Sequence, residues 1–294
     1  MKKANENIEQ VKRVVNQVKI MDDRAYMVKQ QKYEVYHQQP YQAYGAALNT
    51  FGKNEGMAGP PQRQQLLQHL VSTLYSVAYC QMPQEEAGAT LHLPESNQDF
   101  VQKLSAANGS TSGLDMNWQV YSVNESGNAF VEKNGEVRLL PSQGFQFANP
   151  ANQQLQVGTY VQIVRQKEST TLQPSFYYVY GNVTIPQETE LVRFYWNLKS
   201  EGMPLLIAQL TSWLNQYKIP FSFKCLNHPK YYKRADNAVL YIAKKSTSIV
   251  NLLLPKVFDQ ITPYFNQEVP LFTKKIRDGV AFAEDPGNNE SFGM

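Results

Sequence analysis

Residues 190–243 read ELVRFYWNLKSEGMPLLIAQLTSWLNQYKIPFSFKCLNHPKYYKRADNAVLYIA, and this stretch decides the fold. It opens on an alternation in which Val192, Phe194 and Trp196 are apolar, while Arg193 and Tyr195 lie between them. Successive side chains of a strand point to opposite faces of a sheet. The period of two therefore predicts a strand with one apolar face and one polar face.

A helix and two further strands follow this first strand. Pro204 suits the first turn of a helix, and leucine and tryptophan side chains recur along one side of 204–217. The segments 219–226 and 238–243 return to the strand pattern, and 247–262 predicts a second helix. Together these elements predict an α+β fold with a C-terminal strand–helix–strand unit in a mixed sheet.

The rest of the chain divides into a helical N-terminal region, 1–100, and an α+β domain, 101–294. Short alternating segments between 117 and 183 predict an antiparallel-rich middle, because the links between them are too short for crossovers. Asn134-Gly135 is typical of a tight type I′ hairpin. The Tyr- and Gln-rich stretch 26–49 has the composition of an interface, so we expect it to be mobile alone and ordered in a complex. It can also be read as a variable insertion.

Composition excludes several classes of protein. The chain has 294 residues, and its 29 glutamines outnumber its 28 lysines and arginines. A net charge of +3 is too small for the concentrated basic face of a nucleic-acid-binding protein. No apolar run is long enough for a membrane helix, and the N-terminus has no apolar core of a secretory signal. Two cysteines, four histidines without ligand-like spacing and the lack of a phosphate-binding glycine loop predict no metal and no cofactor.

Polar side chains gather on one face of the predicted C-terminal sheet. If the apolar faces of the strands cover the helices, Arg193 and Lys224 lie together on the opposite face. Guanidinium, ammonium, phenol and amide donors are the groups that hold phosphate. The alternative is a solvated face with incidental charges. The candidate residues of this surface are Arg193, Tyr195, Asn197, Lys224, Arg234 and Lys274. His228, in the following loop, is either an acid at the site or a turn residue.

Four segments resemble the HopA-type effector family. They are LVRFYWNLK (191–199), IPFSFKCLNHPKYYKRADNAVLY (219–241), EVPLFTKK (268–275) and AEDPGNNESFGM (283–294). The family comprises bacterial type III effectors and relatives encoded beside peptide-modifying enzymes. Relatives in lanthipeptide and thioamitide pathways are similar in role to phosphothreonine lyases. The resemblance implies a bacterial, cytoplasmic protein, unless it is secreted as an effector.

The resemblance implies a specific reaction. A phosphoserine/phosphothreonine lyase pairs with a kinase-like protein and eliminates phosphate from the precursor peptide, which leaves dehydroamino acids. Elimination requires a base for the α-hydrogen, and a lysine serves only if burial or neighbouring cations lower its pKa. Lys224, flanked by Phe223 and Cys225, is the candidate base. Tyr195 or His228 could assist the leaving group, and the phosphate would be bound by Arg193, Asn197, Arg234 and Lys274.

The same groove also suits a protein without catalytic activity. Such a module would bind a phosphorylated or acidic peptide or protein, as an effector does. In either case the partner is a peptide or protein rather than nucleic acid or a membrane, and a homo-oligomer is an additional expectation.

Overall fold

The N-terminal part combines two helices with a small sheet. In the computed structural model, which describes residues 2–35, 61–84, 96–142, 144–151, 153–186 and 189–285, helix α1 (Lys2–Val15) precedes an antiparallel sheet. Its strands are β1 (Val18–Ile20), β2 (Ala25–Val28) and β3 (Gln31–Glu34), in that order. Helix α2 (Pro61–Leu74) continues as a π-helical turn, Tyr75–Tyr79.

This small sheet differs from the purely helical region expected from the sequence. Tyr26 and Tyr33 stack on each other and are buried with Leu66 and Val77, so the sheet and α2 share a core. The expectation that 26–49 is an exposed interface is therefore wrong for its first residues. The part of that stretch from residue 36 onward lies outside the described residues. Strands of three or four residues carry too little alternation to be read from sequence.

The middle of the chain forms a second sheet. Helix α3 (Gln98–Ala107) leads into five strands: β4 (Gly113–Val123), β5 (Ala129–Lys133), β6 (Glu136–Leu140), β7 (Phe145–Phe147) and β8 (Tyr160–Arg165). They pair antiparallel in the order β6-β5-β4-β8-β7 around buried Trp118. Asn134 and Gly135 both have positive φ, 54° and 82°, as a type I′ turn requires. The predicted hairpin is confirmed.

The C-terminal part is a seven-stranded sheet with helices on one face. Its strands are β9 (Glu168–Ser169), β10 (Phe176–Tyr180), β11 (Leu191–Trp196), β12 (Phe221–Leu226), β13 (Ala238–Ala243), β14 (Lys274–Arg277) and β15 (Val280–Glu284). The spatial order is β14-β15-β11-β13-β12-β10-β9. Helices α4 (Met203–Gln216) and α5 (Thr247–Ile261), together with α3, bury the apolar face formed by Val192, Phe194 and Trp196.

The α+β class and the strand–helix–strand order are confirmed, and one detail differs. Strands β11 and β12 run in the same direction, but β13 lies between them and pairs antiparallel with both. All pairs of neighbouring strands in the described residues are therefore antiparallel, and the sheet is not mixed. The crossover helix α4 spans one intervening strand rather than joining neighbours.

Candidate functional site

The strand register brings the predicted polar side chains together on the face opposite the helices. Arg193 lies opposite Tyr241, and Lys224 and Tyr195 both lie opposite Val239. Directly opposed residues of antiparallel strands point to the same side of a sheet. Arg193, Tyr195, Tyr241 and Lys224 therefore share one face, as predicted from the alternation.

Lys224 lies among three aromatic rings on this face. Its Nζ is 4.7 Å from the ring centre of Phe176 and 5.9 Å from those of Tyr178 and Tyr241. Burial lowers the pKa of Lys224 to about 8, and the positive charges of Arg234 and Arg193 act in the same direction. The negative charge of Asp236 opposes them.

The lowered pKa expected for Lys224 is present, and both expected causes, burial and the nearby arginines, contribute to it. The burial, however, does not come from the sequence neighbours to which it was ascribed. Phe223 and Cys225 precede and follow Lys224 along the strand, and both are buried in the core on the helix side of the sheet. The desolvation comes instead from the rings on neighbouring strands. Adjacent residues of a strand point to opposite faces, so sequence neighbours could not supply it.

An amide oxygen from a loop lies against Lys224. The Nζ of Lys224 donates to Gln173 Oε1 at 3.3 Å, and the Tyr178 hydroxyl donates to the same oxygen at 2.8 Å. Gln173 is an exposed residue of the loop 170–174 between β9 and β10. Sequence reasoning missed both Gln173 and Tyr178, although the aromatic run of β10 next to a basic strand was a usable signal.

Arg193 is held by an aspartate from the end of β15. Its Nε and Nη2 donate to Asp285 Oδ2 at 3.0 and 2.6 Å, and its guanidinium lies 5.6 Å from the ring of Tyr241. Burial tends to lower the pKa of Arg193, but hydrogen bonds to Asp285 and Tyr195 outweigh it and raise the pKa. Arg193 is 8% exposed, so it is a buried residue with a carboxylate partner.

Arg234 is enclosed in the protein and paired with Asp236. Its Nη2 donates to Asp236 Oδ2 at 2.7 Å, to the Tyr75 hydroxyl at 3.0 Å and to Cys80 Sγ at 3.2 Å. Burial tends to raise the pKa of Asp236, but Arg234 outweighs it, so the carboxyl remains ionised. Tyr75 and Cys80 come from the N-terminal part, which therefore packs over this ion pair. A phosphate could not reach Arg234 without displacing these groups.

Two further candidate residues, Tyr195 and Asn197, lie in polar networks within the protein. The Tyr195 hydroxyl interacts electrostatically with Tyr79 and Arg193, so it belongs to the same polar network. Asn197 is buried and links three segments. It donates to Glu268 O at 3.0 Å and accepts from Asn237 and Asn266.

His228 lies in a turn after β12, and Lys274 lies on the other face of the sheet from Lys224. His228 Nδ1 accepts from the Lys230 backbone N–H at 3.1 Å at the start of a 3₁₀ turn, which is the turn role considered for it. Lys274 is opposite Phe282, which is opposite Phe194. This register directs Lys274 to the helix side, where it is exposed on the outermost strand, and so it does not share the face of Arg193.

No group of three His, Cys, Asp or Glu side chains within the described ranges could hold a metal ion. Among the helices of those ranges, none is long and apolar enough to cross a membrane.

Comparison with known proteins finds a family match for the C-terminal part. Residues 167–294 match the model of the HopA1 effector protein family. The effector protein from Pseudomonas syringae pv. syringae strain 61 has a similar structure, with 13% identity and a TM-score of 0.39 over 72% of this chain and 69% of that one. The effector protein from Pseudomonas syringae pv. tomato strain DC3000 gives 14% identity and a TM-score of 0.41 over 84% and 82%. No curated protein matches the chain.

Proposed function

We propose that this protein, whose residues 167–294 match the model of the HopA1 effector protein family, is a phosphoserine/phosphothreonine lyase-like protein. It removes phosphate from a peptide that a partner kinase has phosphorylated, and it leaves dehydroamino acids in a ribosomally made peptide of the lanthipeptide type. Lys224 is the proposed base, and Arg193 the proposed ligand of the departing phosphate.

The observation that carries this proposal is the environment of Lys224. A pKa of about 8 leaves roughly a tenth of the amine neutral at pH 7, compared with well under a thousandth for an ordinary lysine. A general base works best when its pKa lies near the working pH. Lys224 is half-buried, and its amine and the guanidinium of Arg193 lie 5.9 and 5.6 Å from the centre of the Tyr241 ring.

The reaction follows from these positions. The neutral amine of Lys224 takes the α-proton, and the electron pair of that C–H bond forms the Cα=Cβ double bond. The Cβ–O bond breaks, and its electrons leave with the phosphate. Arg193 neutralises the phosphate. To do so, its guanidinium gives up its hydrogen bonds to Asp285 and donates to the phosphate oxygens, which are also negatively charged.

The experiment is a mass measurement on a phosphothreonine peptide. Elimination yields a peptide one water lighter than its unphosphorylated form, whereas hydrolysis restores that form. Lys224→Ala is expected to slow elimination by about 10²- to 10⁴-fold, the usual effect of losing a general base. Lys274→Ala is the matched control, because Lys274 is an exposed lysine of the same sheet that points to the other face. Phosphorylated or hydrolysed peptide as the sole product with the wild-type protein contradicts the proposal.

A second function is favoured by the pairing of the arginines. Arg193 and Arg234 already have aspartate partners, and the Lys224 amine is partly open to solvent. These features suit a non-catalytic, effector-like module that binds a phosphorylated or acidic peptide. Such a module binds the phosphopeptide and returns it unchanged. In that case Lys224→Ala lowers the affinity for the phosphopeptide. If the protein is a lyase, Lys224→Ala removes only the base, and the variant still binds the phosphopeptide.

A further inference from the structure

Two hydrogen-bond donors of the site converge on one oxygen. The Lys224 amine and the Tyr178 hydroxyl both donate to Gln173 Oε1, at 3.3 and 2.8 Å. These donors come from neighbouring strands at directly opposed positions, so the sheet fixes their spacing. The acceptor, in contrast, is an exposed side chain of a loop. The rigid elements of the protein thus supply the donors, and a replaceable group supplies the oxygen.

The chemistry of the replaceable group matches that of a peptide. The side chain of glutamine ends in a carboxamide, whose carbonyl has the same acceptor oxygen as a backbone amide. In an elimination, the carbonyl next to the α-carbon takes up negative charge when the α-proton leaves. Donors placed on that oxygen stabilise the transition state more than the ground state.

We propose that Gln173 occupies the place of the substrate's own carbonyl, and that Tyr178 and Lys224 form an oxyanion site for the phosphorylated residue. The proposal rests on the function proposed above and adds to it a substrate-binding residue, Tyr178, and an internal amide that a peptide must displace. A carbonyl oxygen in the position of Gln173 Oε1 brings its neighbouring α-carbon close to the Lys224 amine. The α-proton passes to Lys224, the carbonyl becomes an enolate held by Tyr178, and its collapse expels phosphate with the electrons of the Cβ–O bond.

The surroundings suit these roles. Burial raises the pKa of Tyr178 to about 12, so the phenol keeps its proton and can donate at neutral pH. The rings of Phe176 and Tyr241 line the other sides of the amine and exclude water from part of it. Electrostatic donors act more strongly where water is excluded.

Steady-state kinetics of phosphothreonine-peptide elimination distinguish the roles of Tyr178 and Gln173. Tyr178→Phe removes a donor that matters in the transition state, so kcat and kcat/KM are expected to fall together by about 10²- to 10³-fold. Gln173→Ala removes a competitor of the substrate, so KM is expected to fall about fivefold with kcat unchanged, the effect of one ordinary hydrogen bond. Leu172→Ala is the control, because Leu172 is 64% exposed in the same loop.

A second measurement does not depend on turnover. The rate at which acetic anhydride acetylates Lys224, followed by the mass of the peptide that contains it, is expected to rise about fivefold in Gln173→Ala and to stay constant in Leu172→Ala. An unchanged rate in Gln173→Ala overturns the inference whether or not the protein eliminates phosphate. Unchanged kcat in Tyr178→Phe overturns it in a protein that does. If the wild-type protein has no lyase activity but Gln173→Ala labels faster, the proposed function fails while Gln173 still covers Lys224.

Discussion

The clearest test of how the site is built concerns Arg234. The structure makes it a buried structural residue, whereas the sequence pattern predicts a phosphate ligand. Arg234 makes two hydrogen bonds to Asp236 and one each to Tyr75 and Cys80. Replacing it with Met keeps an unbranched apolar stem but removes the guanidinium, which leaves Asp236 buried without its ion-pair partner.

The expected cost follows from this enclosure. Removing one partner of a buried ion pair lowers the free energy of unfolding by about 3–5 kcal/mol. Arg234→Met should therefore shift the urea midpoint by roughly 1–5 M, for a slope of about 1–3 kcal/mol/M. Replacing both partners, in Arg234→Met with Asp236→Leu, should restore much of that loss, because no charge is then left unpaired.

The assay is urea unfolding of the wild type, both single variants and the double variant, with phosphopeptide affinity measured on each protein that remains folded. Arg193→Met is the comparison, because Arg193, like the Lys224 amine, lies near the Tyr241 ring, and its partner Asp285 is 18% exposed in its side chain. The reasoning is refuted if Arg234→Met changes the free energy of unfolding by less than about 1 kcal/mol while phosphopeptide binding falls more than tenfold.

Four further outcomes are expected. The rate of elimination should rise with pH and level off above about 8, where Lys224 has lost its proton, and a pH-independent rate between 6 and 9 would contradict this. Arg193→Lys should weaken phosphopeptide binding by roughly 10- to 100-fold in a direct titration, because an ammonium cannot make the bidentate hydrogen bonds of a guanidinium. The pKa of Asp236 is lowered in the folded state, so its contribution to the free energy of unfolding is complete above the unfolded pKa near 3.8 and is lost as the pH falls through the folded pKa. Urea midpoints measured in acid should show this loss in the wild type and not in Asp236→Asn. Gly279→Ala should cost at least about 1–2 kcal/mol in urea, because φ is 68° and the new Cβ would lie 2.6 Å from a backbone oxygen, and should cost more than Gly127→Ala, where φ is 76° and the space is open.

The alternation of side chains was enough to predict the C-terminal strands and their faces. Val192 and Phe194 had to cover helices, and this alone placed Arg193 on the other side, where the structure has it. The same argument placed Lys224 beside it. The alternation predicts the face of each side chain because each of these strands buries one face against the helices.

Partner choice within the site could not be predicted in the same way. Whether Arg234 faces solvent or Asp236 depends on Tyr75, more than 150 residues away in the sequence. The meeting of Gln173 with Lys224 depends on how one loop folds over one strand. Lys274 was assigned to the wrong face because the alternation was not followed through β14 and β15 to Phe194. Only the register of distant strands decides such contacts.

The position of β11 inside the sheet has a consequence for synthesis of the chain. Both of its neighbours, β13 and β15, lie later in the sequence, and Asp285 follows Arg193 by 92 residues. At 5–20 residues per second, a ribosome needs on the order of 5 to 18 s to reach Asp285 after Arg193. An apolar strand bearing Phe194 and Trp196 therefore has two unpaired edges until β13 emerges and one until β15 emerges, and unpaired edges are prone to join another chain. The nascent protein must therefore be shielded, by its own helix α4 or by a chaperone, until its last described strand emerges.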